Sequence, residues 1–525
     1  MKFVIISILC IFCILKRFEC ARILVVIATP SYSHQITYNR LFLELNKRGH
    51  EIVFITTNYI RDLDVTNITQ INIEKSYELM KDLDFIRYRY EGISWLTFLE
   101  TNIRVLGDGF LKNTFEHPMA KELYSPNSNA TFDVVMTEML FTPGACALAH
   151  RFNAPLIGLS SFGLPAFQEY ILGGLVLPSH ESTWENVYTG TDPTFWDRVK
   201  NFVGLWRHLY ICYQETISRQ HSMVEKYFGK SIPPLIEIIR NITLVFINND
   251  EFVSPARLKS QNHITFSTLQ ISENPTPLPK DLKHFVDNAK NGFIYFNLGT
   301  NVRSASLPNE TIRIFRDVFA KLPYRVVWKF EMEFPEKPDN VFAAPWFPQQ
   351  TILAHPNIKL FVYQGGIQST EETIHFAVPV LGFPVMADQD YQVRRMVKLG
   401  VGKCLEITTV DSNEFESAIR EIISNKEYKQ NMLKLRDLTK DTPYDYAKYL
   451  AWWTEFVIRY KGAPHLRSTV ISQPWYQRND MDIVISFTIL TYILVSYTFR
   501  LIIKLILRTC KQRRINSVHL KQKTS

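Results

Sequence analysis

The stretch that most constrains the fold of this 525-residue chain runs from Trp346 to Gln392. Within it Lys359 to Tyr363 is a short apolar run, broken by Gly365-Gly366 and followed by Ser369-Thr370-Glu371-Glu372. A second apolar run, Val378 to Met386, delivers Ala387-Asp388-Gln389 at its carboxyl end. Strand, glycine turn, helix start and strand again read as part of an open α/β sheet. Such sheets meet their ligands at the carboxyl ends of the strands, so the stretch also states a chemistry. Trp346 offers a flat π-face and Gln349 an amide with donors and an acceptor, a pair that suits a pyrimidine base. Past the glycines, backbone N–H groups converge and the positive end of a helix dipole favours phosphate. Asp388 beside Gln389 can hold sugar hydroxyls.

The rest of the chain repeats this pattern. Arg22 to Ala28 is a buried-strand run, Pro30 to His34 turns the chain, and Tyr38, Leu41, Phe42 and Leu45 recur at helical spacing before Gly49. Glu51 to Thr56 returns as a strand, which completes a βαβ unit. Further strands are predicted at Phe132 to Thr137, Leu156 to Leu159 and Leu244 to Ile247. Residues 85–120 and 160–220 are rich in Phe, Tyr, Trp and Leu without clean periodicity; they are either plain core or the wall of an apolar pocket. Ser272 to Lys280 is a Pro-studded connector. The second half offers strands at Phe293 to Leu298, Arg325 to Phe330, Lys359 to Tyr363 and Val378 to Phe383, then an aromatic helix from Asp441 to Gly462.

The two ends have their own character. Met1 to Cys20, with an early lysine, an apolar run and a small residue before Ala21, reads as a cleaved signal peptide. Ile483 to Phe499 is uncharged, near the lower limit of a membrane span, and Arg500 and Lys504 can extend it by snorkelling. Beyond it the tail is strongly basic, which assigns it to the cytosol. From Arg500 onward stand eight Lys/Arg and no acid, so the net charge of +8 resides in that tail and the body before it is neutral. A nucleic-acid partner is therefore not indicated. Cys146, Cys212, Cys404 and Cys510 form neither a disulfide framework nor a metal spacing. Asn67, Asn129, Asn241 and Asn309 open N-x-S/T sequons, open to glycosylation in a lumenal chain.

The segment W-F-P-Q-Q through F-V-Y-Q-G-G and V-M-A-D-Q-D-Y-Q, with N-L-G-T upstream and P-Y-D-Y-A…W-W-T-E-F downstream, resembles the signature of the UDP-dependent glycosyltransferases. The branch is that of the membrane-bound UDP-glucuronosyl- and UDP-glucosyltransferases, and the likeness spans nearly the whole chain. It implies a GT-B-like fold: two doubly wound Rossmann-like domains with a cleft between them, plus one C-terminal transmembrane helix. The implied order is a signal peptide (1–20), an acceptor-binding domain (21–250), a linker (251–280) and a UDP-sugar-binding domain (281–440). A crossing helix with its juxtamembrane segment (441–480), a transmembrane helix (481–507) and a cytosolic basic tail (508–525) follow. The last five residues, Lys521 to Ser525, resemble a dilysine retrieval signal. The expected setting is the endoplasmic reticulum membrane, single-pass, with the catalytic domains lumenal.

The resemblance also distributes roles. His34 stands where the family has its general base, and imidazole chemistry suits proton removal near neutrality. Glu138, in F-D-V-V-M-T-E, stands where the family has an Asp that orients the base; this acid is one methylene longer. Trp346 stacks on uracil and Gln349 bonds its edge. Glu372 takes the ribose hydroxyls, and Asp388 and Gln389 take the sugar. Gly365, Gly366 and Ser369 form the turn and helix start at the phosphates, joined by Gly299, Thr300 and Arg257. Gln364 departs from the family's usual His before the paired glycines: it still donates an N–H but cannot carry charge, a variant associated with insect members.

The implied reaction is inverting transfer of glucose or glucuronic acid from a UDP-sugar to a hydroxyl of a small lipophilic acceptor, in detoxification. UDP-glucose is the favoured donor, since Asp388-Gln389 brings no cation for a uronate carboxylate. No cofactor or metal is implied; Asp62-Leu63-Asp64 and Asp82-Leu83-Asp84 imitate a D-x-D motif without following a strong strand. Homo- or hetero-oligomers are compatible with the sequence. The rival reading is a non-catalytic membrane protein that binds UDP-sugars or hydrophobic ligands.

Overall fold

The computed structural model describes residues 20–60, 66–177, 185, 193–256, 258–334 and 336–523. The expected signal peptide up to residue 19, the Asp62-Leu63-Asp64 motif, Arg257 and the last two residues lie outside the described residues.

The apolar runs become buried parallel strands. β1 (Arg22–Ile27), β2 (Glu51–Thr56), β3 (Ile68–Asn72), β4 (Val134–Glu138), β5 (Leu156–Ser160), β6 (Leu244–Asn248) and β7 (His263–Phe266) form one sheet. Its order is β3-β2-β1-β4-β5-β6-β7, parallel throughout. The second sheet holds β8 (Phe293–Asn297), β9 (Arg325–Lys329), β10 (Val341–Ala344), β11 (Ile358–Tyr363), β12 (Val380–Gly382) and β13 (Gly402–Cys404). Its order is β10-β9-β8-β11-β12-β13, again all parallel. Parallel strands must be covered on both faces, and apolar clusters fill both sides of each sheet. The strand order reverses between β1 and β4 and between β8 and β11. Open α/β sheets build their ligand crevice at these switch points.

Three differences from the sequence reading stand out. β7 lies inside the segment expected to be linker, so the first sheet runs on to Phe266. β12 is confined to Val380–Gly382, at the centre of the longer apolar run expected there. β3, β7, β10 and β13 were not anticipated at all.

The chain then crosses back. In the helix Tyr446–Tyr460, Ala447, Leu450, Ala451 and Val457 are buried with Leu41, Phe42 and Leu45 of the first domain. Arg40 donates to Asp445 at 2.9 Å, Arg48 to Glu455 at 3.2 Å, and His50 meets Glu455 at 3.4 Å. All four sequon asparagines are exposed. The residues from Thr469 onward form a separate unit. Within it the helix Met481–Lys523 is long and apolar enough over Met481–Asn516 to cross a membrane.

A polar seam joins the two sheet domains behind the cleft. Gln368 donates to Thr37 Oγ1 at 3.1 Å and to the Ser161 carbonyl at 2.9 Å. Glu371 accepts from Gln270 at 2.8 Å and from Asn248 at 3.4 Å. Burial pushes Glu371 from its ordinary 4.5 up to about 8, with Asp250 adding to the rise. The folded chain thus holds a proton there that the unfolded chain releases, so stability falls as pH rises from 4.5 to about 8. Glu371→Gln removes that cost. Its thermal midpoint should exceed the wild type's at pH 8, with the gap closing toward pH 4.5; parallel pH profiles would refute the assignment.

Candidate active site

A cavity of about 900 Å³ opens between the carboxyl ends of the two sheets. That lies toward the upper end of the roughly 300–1,000 Å³ usual for ligand sites. The first domain lines it with the loop after β1, and the second with the loops after β8, β11 and β12.

His34 sits on the one-turn helix Tyr32–Ile36 that follows β1. Glu138 is the last residue of β4, the neighbouring strand across the switch point. His34 Nδ1 lies 2.5 Å from Glu138 Oε1, with Glu138 almost wholly buried and His34 slightly exposed. The Phe162 ring stands edge-on to the imidazole at 5.5 Å. A carboxylate on Nδ1 fixes the tautomer with the proton there, which leaves Nε2 as a free base. Glu138 Oε2 has no hydrogen-bond partner. The longer side chain therefore still reaches the ring.

Around this pair the first domain builds an apolar wall from Met80, Phe85, Trp95, Phe98, Leu140 and Phe141. Trp95 stacks on Phe98 at 4.7 Å, and Phe98 tilts against Phe85 at 5.5 Å. The aromatic stretch around residues 85–120 is thus both core and cavity wall. Of the second D-x-D-like motif, Asp84 caps the helix Phe85–Tyr90 by accepting from the Arg87 N–H at 3.0 Å.

The second domain lines the same cavity with Trp346, Gln349, Gln364, Gly366, Ser369 and Glu372, and with Gly299, Thr300, Asp388 and Gln389. Trp346 is more than half exposed and meets Tyr32 of the first domain edge-on at 5.5 Å. Gly366 is the N-cap of the helix Ile367–His375 and brings no capping side chain. The first-turn N–H groups of that helix are thus left for another acceptor. Gly299 has φ +90°, and a Cβ there would fall 2.0 Å from Gln364 Nε2, so only glycine fits the turn after β8. Gln364 Oε1 is buried without a partner. Gly365, at φ +96°, lies just behind, against Val393 and the Gln389 carbonyl.

Two residues have more partners than the sequence suggested. Gln349 donates to Ser369 at 3.0 Å and Glu372 at 2.7 Å, and accepts from Asn297 at 2.7 Å. Its amide therefore adjoins the Glu372 carboxylate and is taken up there, rather than standing free beside the Trp346 face. Glu372 also accepts from Gln350 at 2.9 Å; burial raises its pKa against both amides. Gln389 Oε1 accepts from the Val385 and Met386 N–H groups, both at 2.9 Å, and so fixes the turn that presents Asp388. Burial lifts Asp388 to about 6, opposed by its own backbone N–H and by His34. Arg257 lies outside the described residues.

Sequence reasoning passed over two cations. Lys329, the last residue of β9, is buried and lines the cavity, and it donates to the Gly299 carbonyl at 2.9 Å and to Glu331 at 2.7 Å. Its position at a strand's carboxyl end was the available signal. Arg89 reaches from the first domain to Asp390 through two bonds, 2.8 and 3.1 Å, and to Glu406 at 2.6 and 3.1 Å. Burial alone would depress the guanidinium, but the two carboxylates hold it above its ordinary value. Tyr90 beside it bonds Thr311 at 2.8 Å and the Ile407 carbonyl at 3.0 Å. Nothing in the local sequence marks these two.

Two Rossmann-type sheets facing one cleft define the fold class, GT-B. Among solved structures, the calicheamicin glycosyltransferase CalG4 superposes with a TM-score of 0.56 at 16% identity, covering 84% of this chain and 99% of its own. The spinosyn forosaminyltransferase SpnP does so with a TM-score of 0.56 at 15% identity, covering 84% and 99%. At the level of sequence, residues 21–517 match the UDP-glucoronosyl and UDP-glucosyl transferase family, to which the chain belongs. UDP-glucosyltransferase 2 of Dactylopius coccus is 28% identical over 488 residues, covering 92% of this chain and 93% of its own length. The ecdysteroid UDP-glucosyltransferase of Spodoptera littoralis nuclear polyhedrosis virus is 28% identical, covering 89% and 94%. Human UDP-glucuronosyltransferase 2B7 is 26% identical, covering 89% of each. The protein is a UDP-glycosyltransferase, transferring a sugar from a UDP-sugar to an acceptor.

The Arg89 clamp bridges the first domain and the turn that presents Asp388. Arg89→Ala leaves Asp390 and Glu406 facing each other without their cation. Its kcat/KM for the UDP-sugar should fall roughly 10- to 100-fold, the range for losing a charged hydrogen-bonded partner. Adding Asp390→Ala should cost less in that background than in the wild type. Fully additive losses would show the clamp to be incidental.

Proposed function

We propose that His34 is the general base of an inverting transfer and Glu138 its orienting acid. The observation that carries this is the 2.5 Å contact between them at the rim of the cavity that also holds the donor-motif residues. With Nδ1 tied to Glu138, Nε2 takes the proton of an acceptor hydroxyl, and the oxygen attacks the anomeric carbon in line. A single displacement inverts that carbon, with UDP as the leaving group. The acceptor is a small lipophilic alcohol or phenol, because Phe85, Trp95, Phe98 and Phe141 offer it apolar surface and few polar partners.

On the donor side Trp346 stacks on the uracil, and the Glu372–Gln349 pair meets the ribose hydroxyls. The diphosphate lies across the Gly299-Thr300 turn, Gln364 and the open N-terminus of the helix Ile367–His375, with Ser369 in its first turn. Asp388 and the free amide nitrogen of Gln389 hold the hexose, glucose or glucuronic acid. These fixed dipoles supply the electrostatic stabilisation the departing diphosphate needs, so the reaction is read as metal-independent. His34→Ala should lower turnover about 10²- to 10⁴-fold, the usual worth of a general base, with UDP affinity unchanged. Trp346→Ala should instead weaken UDP binding by roughly 1–3 kcal/mol, the worth of a base–aromatic stack. A His34→Ala enzyme of near-normal rate would end the assignment.

We further propose that the catalytic body lies in the lumen of the endoplasmic reticulum, anchored by the helix Met481–Lys523 with the basic tail in the cytosol. The exposed sequons, the apolar first part of that helix and the eight cations from Arg500 onward support that orientation. Protease added to intact microsomes should remove only an epitope fused to the C-terminus. Digestion of the whole chain would reverse the topology.

A further inference from the structure

Lys329 is the cation whose burial asks for an explanation. It stands at the end of β9, only 5% exposed, on the lining of the cavity. An ammonium has three N–H donors. One goes to the Gly299 carbonyl at 2.9 Å and one to Glu331 at 2.7 Å, and the third has no acceptor among the described residues. Glu331 is itself anchored, accepting from the Ala305 N–H at 3.2 Å. The ammonium is thus held by two acceptors, on the glycine turn that Gln364 also touches. The other lysines and arginines on the cavity lining, Arg40, Lys47 and Lys448, belong to the loop and helices near Asp445. Of the described cations that line the cavity, Lys329 is the one bonded to the turn after β8.

Burying an ammonium costs free energy unless it is paired. One carboxylate already pairs it, so a purely structural lysine has no need to line a cavity. A lysine that keeps one donor for an anionic oxygen does. The leaving diphosphate gains negative charge as the glycosidic bond breaks, and Gln364, a neutral amide, cannot meet that charge with one of its own. We propose that Lys329 binds a diphosphate oxygen of the nucleotide and stabilises the charge that develops there as UDP departs, with Glu331 setting how much of the ammonium's charge the ligand feels. This rests on the donor site assigned above. The bond that breaks is the one from the anomeric carbon to the β-phosphate oxygen; the electron pair stays on that oxygen, and the acceptor's proton goes to His34.

The test is calorimetry on the full-length, detergent-solubilised protein, with UDP and uridine titrated into wild type, Lys329→Met, Lys329→Arg and Glu331→Gln. A wild type that binds neither would sink the donor-site reading itself, and this inference with it. If wild type prefers UDP over uridine, Lys329→Met should weaken UDP roughly 10- to 100-fold, as for loss of a charged hydrogen bond, and leave uridine unchanged. Lys329→Arg should recover most of the loss. Equal weakening of UDP and uridine would mean that Lys329 only holds the Gly299 turn, and would overturn the proposal. Should Lys329→Met not fold, Glu331→Gln decides: it frees the ammonium and should raise the UDP-to-uridine preference, and an unchanged preference refutes the assignment. A final arm compares UDP-glucose with UDP-glucuronate in Lys329→Arg and Glu331→Gln. An effect confined to UDP-glucuronate would assign the ammonium to the sugar carboxylate and not to the diphosphate.

Discussion

Everything at the site depends on two sheets being held with their carboxyl ends facing each other. The chain enforces this by returning to its starting point. After finishing the second sheet it lays the helix Tyr446–Tyr460 against the helix Asn39–Lys47, burying Leu450 and Val457 beside Leu41 and Phe42. That packing is apolar and closed with ion pairs at Arg40 and Arg48. The seam behind the cleft adds hydrogen bonds among Gln368, Gln270, Asn248 and Glu371, beside the apolar contact of Phe162 with Ile367.

Each half contributes what its topology makes available. In the first sheet the switch point separates β1 from β4, and His34 and Glu138 issue from those two strand ends. In the second it separates β8 from β11, and the Gly299 and Gly365-Gly366 turns issue from theirs. The His34–Glu138 pair and the two glycine turns thus occupy equivalent positions in two similar sheets, facing one cavity.

The central strands were legible and the edges were not. β1, β2, β4, β5, β6, β8, β9, β11 and β12 are buried on both faces and read as apolar runs. The four unanticipated strands β3, β7, β10 and β13 are the four edges of the two sheets. β3 and β13 are partly solvated, so Ile-Thr-Gln-Ile-Asn and Gly-Lys-Cys have no hydrophobic signature. The site shows the same asymmetry. Residues next to a glycine turn or a strand end in the signature stretch could be named from sequence. Arg89 could not, because its meaning comes from Asp390 and Glu406, some three hundred residues away in the chain. Gln349 was read for its amide alone; only the fold reveals that Asn297, Ser369 and Glu372 already take it up.

Gln364 shows how a local departure is absorbed by the surroundings. At this position an imidazole could carry charge and an amide cannot. The turn at Gly299 touches Gln364, and its carbonyl accepts from Lys329. Burial raises Asp388 on the facing loop, and His34 opposes the rise. His34 is thus electrostatically tied to the carboxylate on the opposite wall of the cavity.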